Sequence, residues 1–248
     1  MTAMTFHPDL FSGKVALVVG GTSGIGAAIA DAFAELGAVV TVTGATREEC
    51  DAARASPRFR YRDAVPLDVR DDAAVGALVA SLPRLDVLVN CAGIIRRGDE
   101  HDPAIFAEVL AVNLTGTMRC CTLAREKLKT ARGAIVNTAS VLSFFGGGLV
   151  PAYSASKGGV AQLTKSLAIA YAADGIRVNA IAPGWVATPL TRALQNDAQR
   201  SAAILARTPL ARWAQPEDIA GAAVFLCSHA ARFITGAILP VDGGYMVT

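Results

Sequence analysis

Tyr153 and Lys157 stand four positions apart in the segment Tyr-Ser-Ala-Ser-Lys and could perform acid–base chemistry together. If the chain is helical from Ala152 onward, this spacing places both side chains on one face, with Cβ atoms about 5–6 Å apart. A phenol with an ordinary pKa of about 10 is a poor base at neutral pH, but an adjacent ammonium and a second, bound cation favour the phenolate and lower that pKa. The spacing therefore predicts a tyrosine acid–base whose pKa is adjusted by Lys157.

Two further polar residues could assist this pair. Ser140 follows a predicted strand, and its hydroxyl can donate a hydrogen bond to a substrate oxygen that gains negative charge. Asn113 lies inside a long predicted helix, where it lowers helix propensity and needs a polar partner. We expect it to hold a water in a proton relay to Lys157. A tyrosine with a lysine one helical turn away is usually a surface pair, so the prediction depends on the whole group.

The elements that would position these residues alternate between short β-branched runs and Ala-rich stretches of helical period. This rhythm predicts βαβ units around a parallel sheet with helices on both faces. The predicted strands are Val15–Val19, Val39–Thr43, Ala64–Leu67, Val87–Val89, Ala134–Asn137, Arg177–Ile181 and Ile238–Val241. The predicted helices lie near Gly24–Leu36, Ala73–Ser81, Pro103–Thr130, Ala155–Ala173 and Pro216–Cys227. We expect residues 1–248 to form one α/β domain, a doubly wound Rossmann-type sheet of about seven strands.

One long segment, residues 184–215, falls outside this rhythm. It follows a predicted strand and contains Thr188, Pro189, Pro209 and Trp213. Open α/β sheets bind ligands at the carboxyl ends of their strands, so the segment is predicted to be a substrate lid. A surface excursion that merely packs on the sheet is the alternative.

A glycine-rich turn, Gly20-Gly21-Thr22-Ser23-Gly24-Ile25-Gly26, directly follows the first predicted strand. Glycines allow a tight turn and a close approach of the backbone to a pyrophosphate, and the helix that follows offers free N–H groups and its positive dipole end. The Gly-x-x-x-Gly-x-Gly spacing differs from the commonest dinucleotide fingerprint, so a turn that serves only helix packing is the alternative. The position between strand and helix favours a phosphate site.

Two later strand ends also fit a dinucleotide. Asp68 could meet an adenine amino group, and the small residues of Asn90-Cys91-Ala92-Gly93 leave room for the backbone to lie against a cofactor. Each segment could equally be a helix N-cap or a turn. After the second strand, a carboxylate would favour NAD and an arginine would favour NADP. The sequence Thr43-Gly44-Ala45-Thr46-Arg47 has no acid at the strand end, and Arg47 gives a faint preference for NADP.

Composition limits the classes of partner. The 248 residues are 52% hydrophobic and 18% charged, and the 23 basic and 21 acidic residues are spread along the chain. The sequence shows no basic face or tail that would indicate a nucleic acid or membrane partner. Its apolar runs are shorter than the roughly 20 residues that a membrane span needs. The five cysteines form no Cys-x-x-Cys pair, and no secretion signal is visible. We expect a soluble, cytoplasmic protein with reduced thiols and no metal.

Together these motifs resemble the short-chain dehydrogenase/reductase family over nearly the whole chain. The motifs are Gly20–Gly26, Asn90-Cys91-Ala92-Gly93, Asn113, Ser140, Tyr153–Lys157, Pro183-Gly184 with Thr188, and Val241-Asp242-Gly243-Gly244. The resemblance implies hydride transfer between NAD(H) or NADP(H) and a secondary alcohol or ketone, with a homotetrameric assembly. The implied catalytic tetrad is Asn113, Ser140, Tyr153 and Lys157, with Lys157 also contacting the nicotinamide ribose. Two residues depart from the family pattern: Val19 replaces a frequent threonine and Cys91 replaces the second asparagine of the turn.

The resemblance and the strand-end positions together give a set of expected cofactor contacts. They are Gly20, Thr22, Ser23, Gly24, Ile25, Gly26, Gly44, Thr46, Asp68, Val69, Asn90, Ala92, Gly93, Tyr153, Lys157, Pro183, Gly184, Val186 and Thr188.

Several stretches resemble the sugar-acid branch of the family, the 2-deoxy-D-gluconate 3-dehydrogenases and 2-dehydro-3-deoxy-D-gluconate 5-dehydrogenases. They are residues 92–97, 140–147, 150–153, 199–201, 204–205 and 212–213. NAD(H) is the usual cofactor in that branch, which opposes the preference from Arg47 and leaves a slight preference for NAD(H).

Three arginines fall in loops expected to surround the site, and a guanidinium suits a bidentate grip on a carboxylate. We expect one of them to bind the acid end of the substrate, although each alone is more often a solvated surface charge. The expected substrate contacts are Arg96, Arg97, Ser140, Leu142, Tyr153 and Arg200.

Three other functions are alternatives to a sugar-acid dehydrogenase. A 3-oxoacyl thioester reductase is the alternative within the same chemistry, although no basic patch suits an acidic carrier protein. A dinucleotide sensor without turnover is the alternative of another class, and it would predict a broken set of tyrosine, lysine and serine. A sugar-nucleotide epimerase is a further alternative, although such enzymes usually carry a longer C-terminal substrate portion than this sequence has.

Overall fold

The computed structural model describes residues 6–57 and 59–248. In these residues seven parallel strands form one sheet in the order β3-β2-β1-β4-β5-β6-β7. The strands are β1 (Val15–Val19), β2 (Val39–Gly44), β3 (Asp63–Pro66), β4 (Val87–Asn90), β5 (Ala134–Thr138), β6 (Arg177–Pro183) and β7 (Ile238–Val241). The doubly wound α/β prediction is confirmed.

Helices cover both faces of this sheet. They are α1 (Gly24–Glu35), α2 (Arg47–Arg54), α3 (Asp72–Ser81), α4 (Pro103–Leu110), α5 (Gly116–Ala131), α6 (Pro151–Tyr171), α7 (Arg192–Gln195), α8 (Ala198–Ala206) and α9 (Pro216–Cys227). Helices α1 and α9 pack on one face and α3, α5 and α6 on the other. Every residue of β1 is buried, as a continuous apolar run between two helical layers requires.

The catalytic segment differs from the predicted one at its start. We expected a helix from Ala155, but α6 begins at Pro151, so Tyr153 and Lys157 both lie inside it. Proline suits the first helical position because its missing N–H has no intrahelical partner there and its fixed φ is already helical.

The long helix predicted over Pro103–Thr130 is interrupted. Between α4 and α5 the structure has one π-helical turn, Ala111–Thr115, and Asn113 lies in it. Such single turns are frequent at functional sites. The whole stretch Pro103–Ala131 is long and apolar enough by composition to cross a membrane, but α5 packs its buried face on the sheet like a core helix.

The predicted lid segment leaves the sheet and returns to it at one point. Val186 pairs with Ala214 in a short parallel bridge, and Ala214 donates its N–H to the Trp185 carbonyl at 3.0 Å. Helices α7 and α8, which we did not predict, lie between these ends. The segment is therefore a closed excursion at the carboxyl edge of the sheet. Its role as a lid stays a prediction.

Candidate active site

A cleft of about 670 Å³ opens at the carboxyl edge of the sheet, between the ends of β1 to β5, the start of α6 and the first residues after β6. Most of the expected cofactor contacts line it: Gly20, Thr22, Ser23, Gly24, Ile25, Gly26, Gly44, Thr46, Asp68, Val69, Ala92, Gly93, Tyr153, Lys157 and Thr188. The structure thus brings distant strand ends to one wall.

Four expected contacts lie away from this wall in the described chain: Asn90, Pro183, Gly184 and Val186. Asn90 instead donates to Asn137 Oδ1 at 2.9 Å, inside the sheet between β4 and β5. Val186 is buried where the excursion leaves the sheet. Their cofactor contacts stay predictions.

The glycine turn after β1 has no room for side chains. Gly20 has a φ of +76°, and a Cβ there would lie 2.5 Å from the backbone nitrogen of Ala92. A Cβ on Gly26 would collide with the carbonyl oxygen of Gly20. The turn can therefore press against the end of β4 and leave its backbone open to the cleft.

The helix N-terminus at this turn differs from those of α2, α3 and α4. Thr46, Asp71 and Asp102 cap those three helices with side-chain oxygens. At α1, in the described structure, Ser23 makes no side-chain cap and the first turn holds no acidic residue. Its free N–H groups and positive dipole end suit a phosphate, so the residues present fit a dinucleotide.

Glu49 is a residue of the cleft that we did not predict. It lies in the first turn of α2, and its Oε2 accepts a hydrogen bond of 2.7 Å from Ala45 N–H beside the end of β2. Arg47, which gave the preference for NADP, is exposed and lies off the cleft wall described here. The pattern Thr46-x-x-Glu49 is a capping-box signal and could have identified the acid, because such a glutamate folds back over the helix start.

Asp68 is engaged by a neighbour. Arg70 donates two hydrogen bonds to its carboxylate from Nε and a third from Nη2, between 2.7 and 3.0 Å, and this pairing lowers the pKa of Asp68. The expected contact with adenine would have to compete with Arg70.

Lys157 is almost fully buried at the inner end of the cleft. Its Nζ donates to the Thr138 carbonyl at 2.6 Å and lies 5.6 Å from the centre of the Tyr153 ring. Burial lowers the pKa of Lys157 to about 8. Burial also raises the pKa of Tyr153 to about 12, although the Ser140 hydroxyl acts in the opposite direction. The tuning that we predicted, in which the Lys157 ammonium and a nicotinamide cation together lower this pKa, stays a prediction.

Ser140 stands at the start of a short 3₁₀ turn after β5. Its Oγ accepts from Leu142 N–H at 3.1 Å, and its own N–H donates to Ser143 Oγ. Ser143 in turn donates to the Lys157 carbonyl at 2.7 Å, which ties this turn to α6. The Ser140 side chain also faces the Tyr153 hydroxyl, and the hydrogen bond between them lowers the pKa of Tyr153.

Asn113 is completely buried, and its side chain is fully engaged. Its Oδ1 accepts from Ile94 N–H at 2.8 Å, and its Nδ2 donates to the Ile94 carbonyl and to Ser156 Oγ. It therefore fastens the loop after β4 to α6. A Cβ added to Gly93 would lie 3.3 Å from Asn113 Oδ1 and 3.7 Å from Lys157 Nζ, so all three meet. The water relay stays a prediction.

The three candidate arginines have different surroundings. Arg96 lines the cleft and pairs with Glu108 at 3.4 Å. Burial lowers the pKa of Arg97, and the charge of Arg200 lowers it further. Glu100 and Tyr153 raise the same pKa. The charges of Arg200 and Tyr153 thus act on Arg97, which is half-buried, while Arg200 is exposed. Among the described residues no carboxylate forms an ion pair with either arginine.

Comparison with known proteins decides the family. Residues 19–246 match the family described as Enoyl-(Acyl carrier protein) reductase. The chain is 44% identical to the 2-dehydro-3-deoxy-D-gluconate 5-dehydrogenase of Bacillus subtilis (strain 168), over 98% of this chain and 99% of that protein. This chain belongs to the short-chain dehydrogenase/reductase family.

Two further members of the family extend the comparison. The chain is 44% identical to the cis-4-hydroxycyclohexanecarboxylate dehydrogenase of Sinomonas cyclohexanicum, over 96% of this chain and 98% of that protein. A gluconate 5-dehydrogenase from Burkholderia cenocepacia J2315, crystallised with NADP and tartrate, is 36% identical with a TM-score of 0.89, covering 97% of this chain and 98% of that one. The chain is an oxidoreductase of CH–OH groups that uses a nicotinamide dinucleotide, as the resemblance implied.

Within this short-chain dehydrogenase/reductase, we expect the proton to move at Tyr153. When bound, the nicotinamide dinucleotide supplies the hydride acceptor or donor. For oxidation of the alcohol, the deprotonated Tyr153 would take the hydroxyl proton at its phenolic oxygen. For reduction of the ketone, the neutral phenol would donate its proton to the carbonyl oxygen. Ser140 donates a hydrogen bond to the same substrate oxygen, and the Lys157 ammonium, held by Thr138, stabilises charge on the phenol.

Proposed function

We propose that this protein interconverts the secondary alcohol and the ketone of a sugar acid of the gluconate or keto-deoxygluconate type. The observation that carries the proposal is the pair Arg97 and Arg200. The charge of Arg200 acts on the half-buried Arg97 near Tyr153, and neither arginine forms an ion pair among the described residues. Their mutual repulsion is relieved when a carboxylate lies between them.

The names of the relatives support the same substrate chemistry. The 2-dehydro-3-deoxy-D-gluconate and cis-4-hydroxycyclohexanecarboxylate enzymes are named for substrates that carry a carboxylate, and tartrate is also a hydroxy acid. A carboxylate held by Arg97 and Arg200 would fix the substrate so that one hydroxyl meets Tyr153 and Ser140. Leu142, two residues after Ser140, would supply an apolar contact.

The test is a screen for oxidation and reduction, followed by the absorbance of the reduced nicotinamide. Gluconate, deoxygluconates and their keto forms are compared with acetoacetyl thioesters and simple polyols. We expect turnover of at least one sugar acid, and no turnover of the polyol with the same hydroxyls but without the carboxylate. Turnover of the thioesters without any sugar acid would support the 3-oxoacyl reductase function instead.

A ring-shaped hydroxycarboxylate is a second candidate substrate. The cis-4-hydroxycyclohexanecarboxylate enzyme is as similar to this chain as the Bacillus subtilis sugar-acid enzyme, at 44% identity. The same arginine pair would bind its acid group. Including this compound in the screen separates the two substrate classes by their kcat/KM.

For the cofactor, we propose a preference for NAD(H). The Glu49 carboxylate lies in the cleft beside the end of β2 and occupies the Ala45 N–H. A ribose hydroxyl can donate a hydrogen bond to that carboxylate, whereas a 2′-phosphate would be repelled by it. Several structural neighbours, among them the Burkholderia relative, bind NADP and so favour the opposite preference.

Glu49→Gln tests this preference. Removal of the negative charge should raise kcat/KM for NADP by about tenfold and leave that for NAD equal or lower, because the repulsion of the phosphate is lost. Glu48→Gln, which changes an exposed neighbour away from the cleft described here, is the matched control and should leave the ratio unchanged. If Glu49→Gln keeps the wild-type ratio of NAD to NADP, the preference has another cause.

The assembly and location follow as further proposals. A homotetramer is supported by apolar side chains left exposed on helices of one sheet face, namely Met118 and Leu123 on α5 and Ile169 on α6. A cytoplasmic location is supported by the free cysteines found among the described residues.

A further inference from the structure

Glu100 is a buried carboxylate with no part in the chemistry described so far. It lies in the loop between β4 and α4 and is 1% exposed. Its Oε1 accepts from Arg96 N–H at 2.9 Å, and its Oε2 accepts from Tyr153 N–H at 2.8 Å. Both partners are backbone N–H groups of residues that belong to the proposed site.

The bond to Tyr153 replaces a missing helix cap. The residue before α6 is Val150, which makes no side-chain cap in the described structure. The first N–H groups of a helix need acceptors, and an anion near them is also favoured by the helix dipole. Glu100 supplies both from a different element, and it does so at the residue whose phenol carries the acid–base role.

The hydrogen bond to Arg96 holds the loop that follows β4. Arg96 is the residue before Arg97, and its N–H is fixed by the same carboxylate that fixes Tyr153 N–H. One side chain therefore spans the loop that presents Arg97 and the first turn of α6. A side chain buried with two well-formed hydrogen bonds holds its partners within a narrow range of positions.

We propose that Glu100 is a positioning residue, which holds Tyr153 in register with the loop that carries Arg97. The part of the proposal that concerns Tyr153 depends only on the alcohol–ketone chemistry of the family. For Arg97 it rests on the proposed function, in which this arginine binds the substrate carboxylate.

The carboxylate also acts on Tyr153 through its charge. Burial is the main cause that raises the pKa of Tyr153, Glu100 adds to it, and Ser140 and Arg97 oppose it. Lys157 faces the same ring, with its Nζ 5.6 Å from the centre. If the negative charge of Glu100 is removed, the phenol should lose its proton at a lower pH.

The experiment compares Glu100→Gln with Asp99→Asn, which removes the same charge from an exposed position one residue away. For both and for the wild type, kcat, KM and the pH dependence of kcat/KM are measured for oxidation of the best alcohol found in the screen, whichever class it belongs to. Dinucleotide binding is followed by fluorescence and monitors the fold of the cleft.

Glu100→Gln should lower the apparent pKa of the oxidation profile by about half a unit or more, because a nearby like charge is removed. We also expect kcat to fall by about tenfold or more, since misplacement of a reacting group is costly. Dinucleotide binding should change less than about twofold, and Asp99→Asn should behave like the wild type. With a substrate that bears a carboxylate, KM should also rise through Arg97.

Some outcomes overturn the proposal. It fails if Glu100→Gln keeps the wild-type pH profile and kcat, or if Asp99→Asn shifts both to the same extent. If KM stays constant while kcat and the profile change, Tyr153 is positioned and the Arg97 part is wrong, which leaves the family activity intact.

If Glu100→Gln does not fold, Glu100→Asp tests the positioning role instead. It retains the charge but is one methylene shorter, so the apparent pKa should stay close to that of the wild type while kcat falls. A Glu100→Asp enzyme with wild-type kcat would overturn the positioning role.

Discussion

At the residue scale, the proposed chemistry depends on two ionisable side chains whose charged forms the fold disfavours. Burial raises the pKa of Tyr153 to about 12 and lowers that of Lys157 to about 8, so each resists its charged form. The Thr138 carbonyl, 2.6 Å from Lys157 Nζ, compensates for part of that cost. In such surroundings a positive charge that arrives near the phenol has a large effect on its proton.

Tyr153→Phe tests the acid–base role. Loss of the phenolic proton donor should lower kcat by about a thousandfold, the middle of the range for general acid–base catalysis. Binding of the dinucleotide, measured by fluorescence titration, should stay close to that of the wild type. Tyr61→Phe, which removes a hydroxyl bonded to Asp31 away from the cleft, is the matched control. An active Tyr153→Phe enzyme would refute the mechanism.

The buried lysine predicts how stability depends on pH. Its folded pKa of about 8 lies below the ordinary 10.5, so between these values the unfolded chain binds more protons than the folded one. Stability contributed by this group therefore rises with pH through that window and is lost below it.

Lys157→Met isolates this contribution, because other groups titrate equally in both proteins. Between about pH 7.5 and 9.5 the wild type should gain on the order of 1–2 kcal/mol of unfolding free energy relative to the variant. Urea unfolding at both pH values measures the difference. A constant difference would mean that Lys157 keeps its ordinary pKa in the folded chain.

The sequence predicted some of these residues and missed others for a physical reason. Tyr153 and Lys157 are recognised by a spacing within one helix, and Ser140 by its place after a strand. Glu49 and Glu100 act through backbone N–H groups of Ala45, Arg96 and Tyr153. Any residue except proline carries such a donor, so no residue type marks the partner, and for Glu100 one of its two partners comes from a distant segment.

At the element scale, the strand ends were predicted within two residues, while helix starts and interruptions were less predictable. β1, β7 and α9 have the predicted bounds. The π-helical turn around Asn113 was not predictable from helical period, because the side chain that stabilises it bonds to Ile94 and Ser156 in other segments. Helices α7 and α8 are short and lie over the edge of the sheet, so their apolar residues are few and give a weak periodic signal.

The predicted lid can be tested through its tryptophans. The chain has two, Trp185 and Trp213, and both lie in the excursion after β6 with ring centres 6.0 Å apart. Trp213 also donates to Ser201 Oγ of α8 at 2.9 Å, so movement of α8 should change its environment.

If the segment closes over the substrate, tryptophan emission should change when a turned-over acid is added to the complex with the oxidised dinucleotide. Trp213→Phe should lose most of this change and retain turnover. The same concentration of a polyol that is not turned over serves as the control. A saturating substrate that leaves the emission unchanged would indicate a segment that only packs on the sheet.

At the scale of the whole molecule, the strand order places the site. The sheet is wound in opposite directions on the two sides of β1 and β4, and the loops after these strands diverge there. Gly20 and Ala92, one from each loop, come into backbone contact at this point, which is why the first and fourth strands build one cleft. The alternation of strands and helices was sufficient to predict this architecture, since parallel sheets need helical crossovers.

The proposed homotetramer predicts that a charge on its outer helices disrupts the contact between chains. Ile169 is 82% exposed on α6, and Met118 and Leu123 of α5 are partly exposed on the same face of the sheet. If these side chains are buried between copies, Ile169→Glu places a charge in an apolar contact and should dissociate the assembly into smaller units, because an unpaired buried charge is costly.

Light scattering coupled to size-exclusion chromatography should report four chains for the wild type and for Ala52→Glu, which adds the same charge on α2 at the other end of the sheet. Each dissociated Ile169→Glu chain should keep its circular dichroism spectrum, since Ile169 contributes little to the core. A wild type that elutes as a single chain, or an Ile169→Glu variant that remains a tetramer, would contradict this prediction, the second by placing the contact elsewhere.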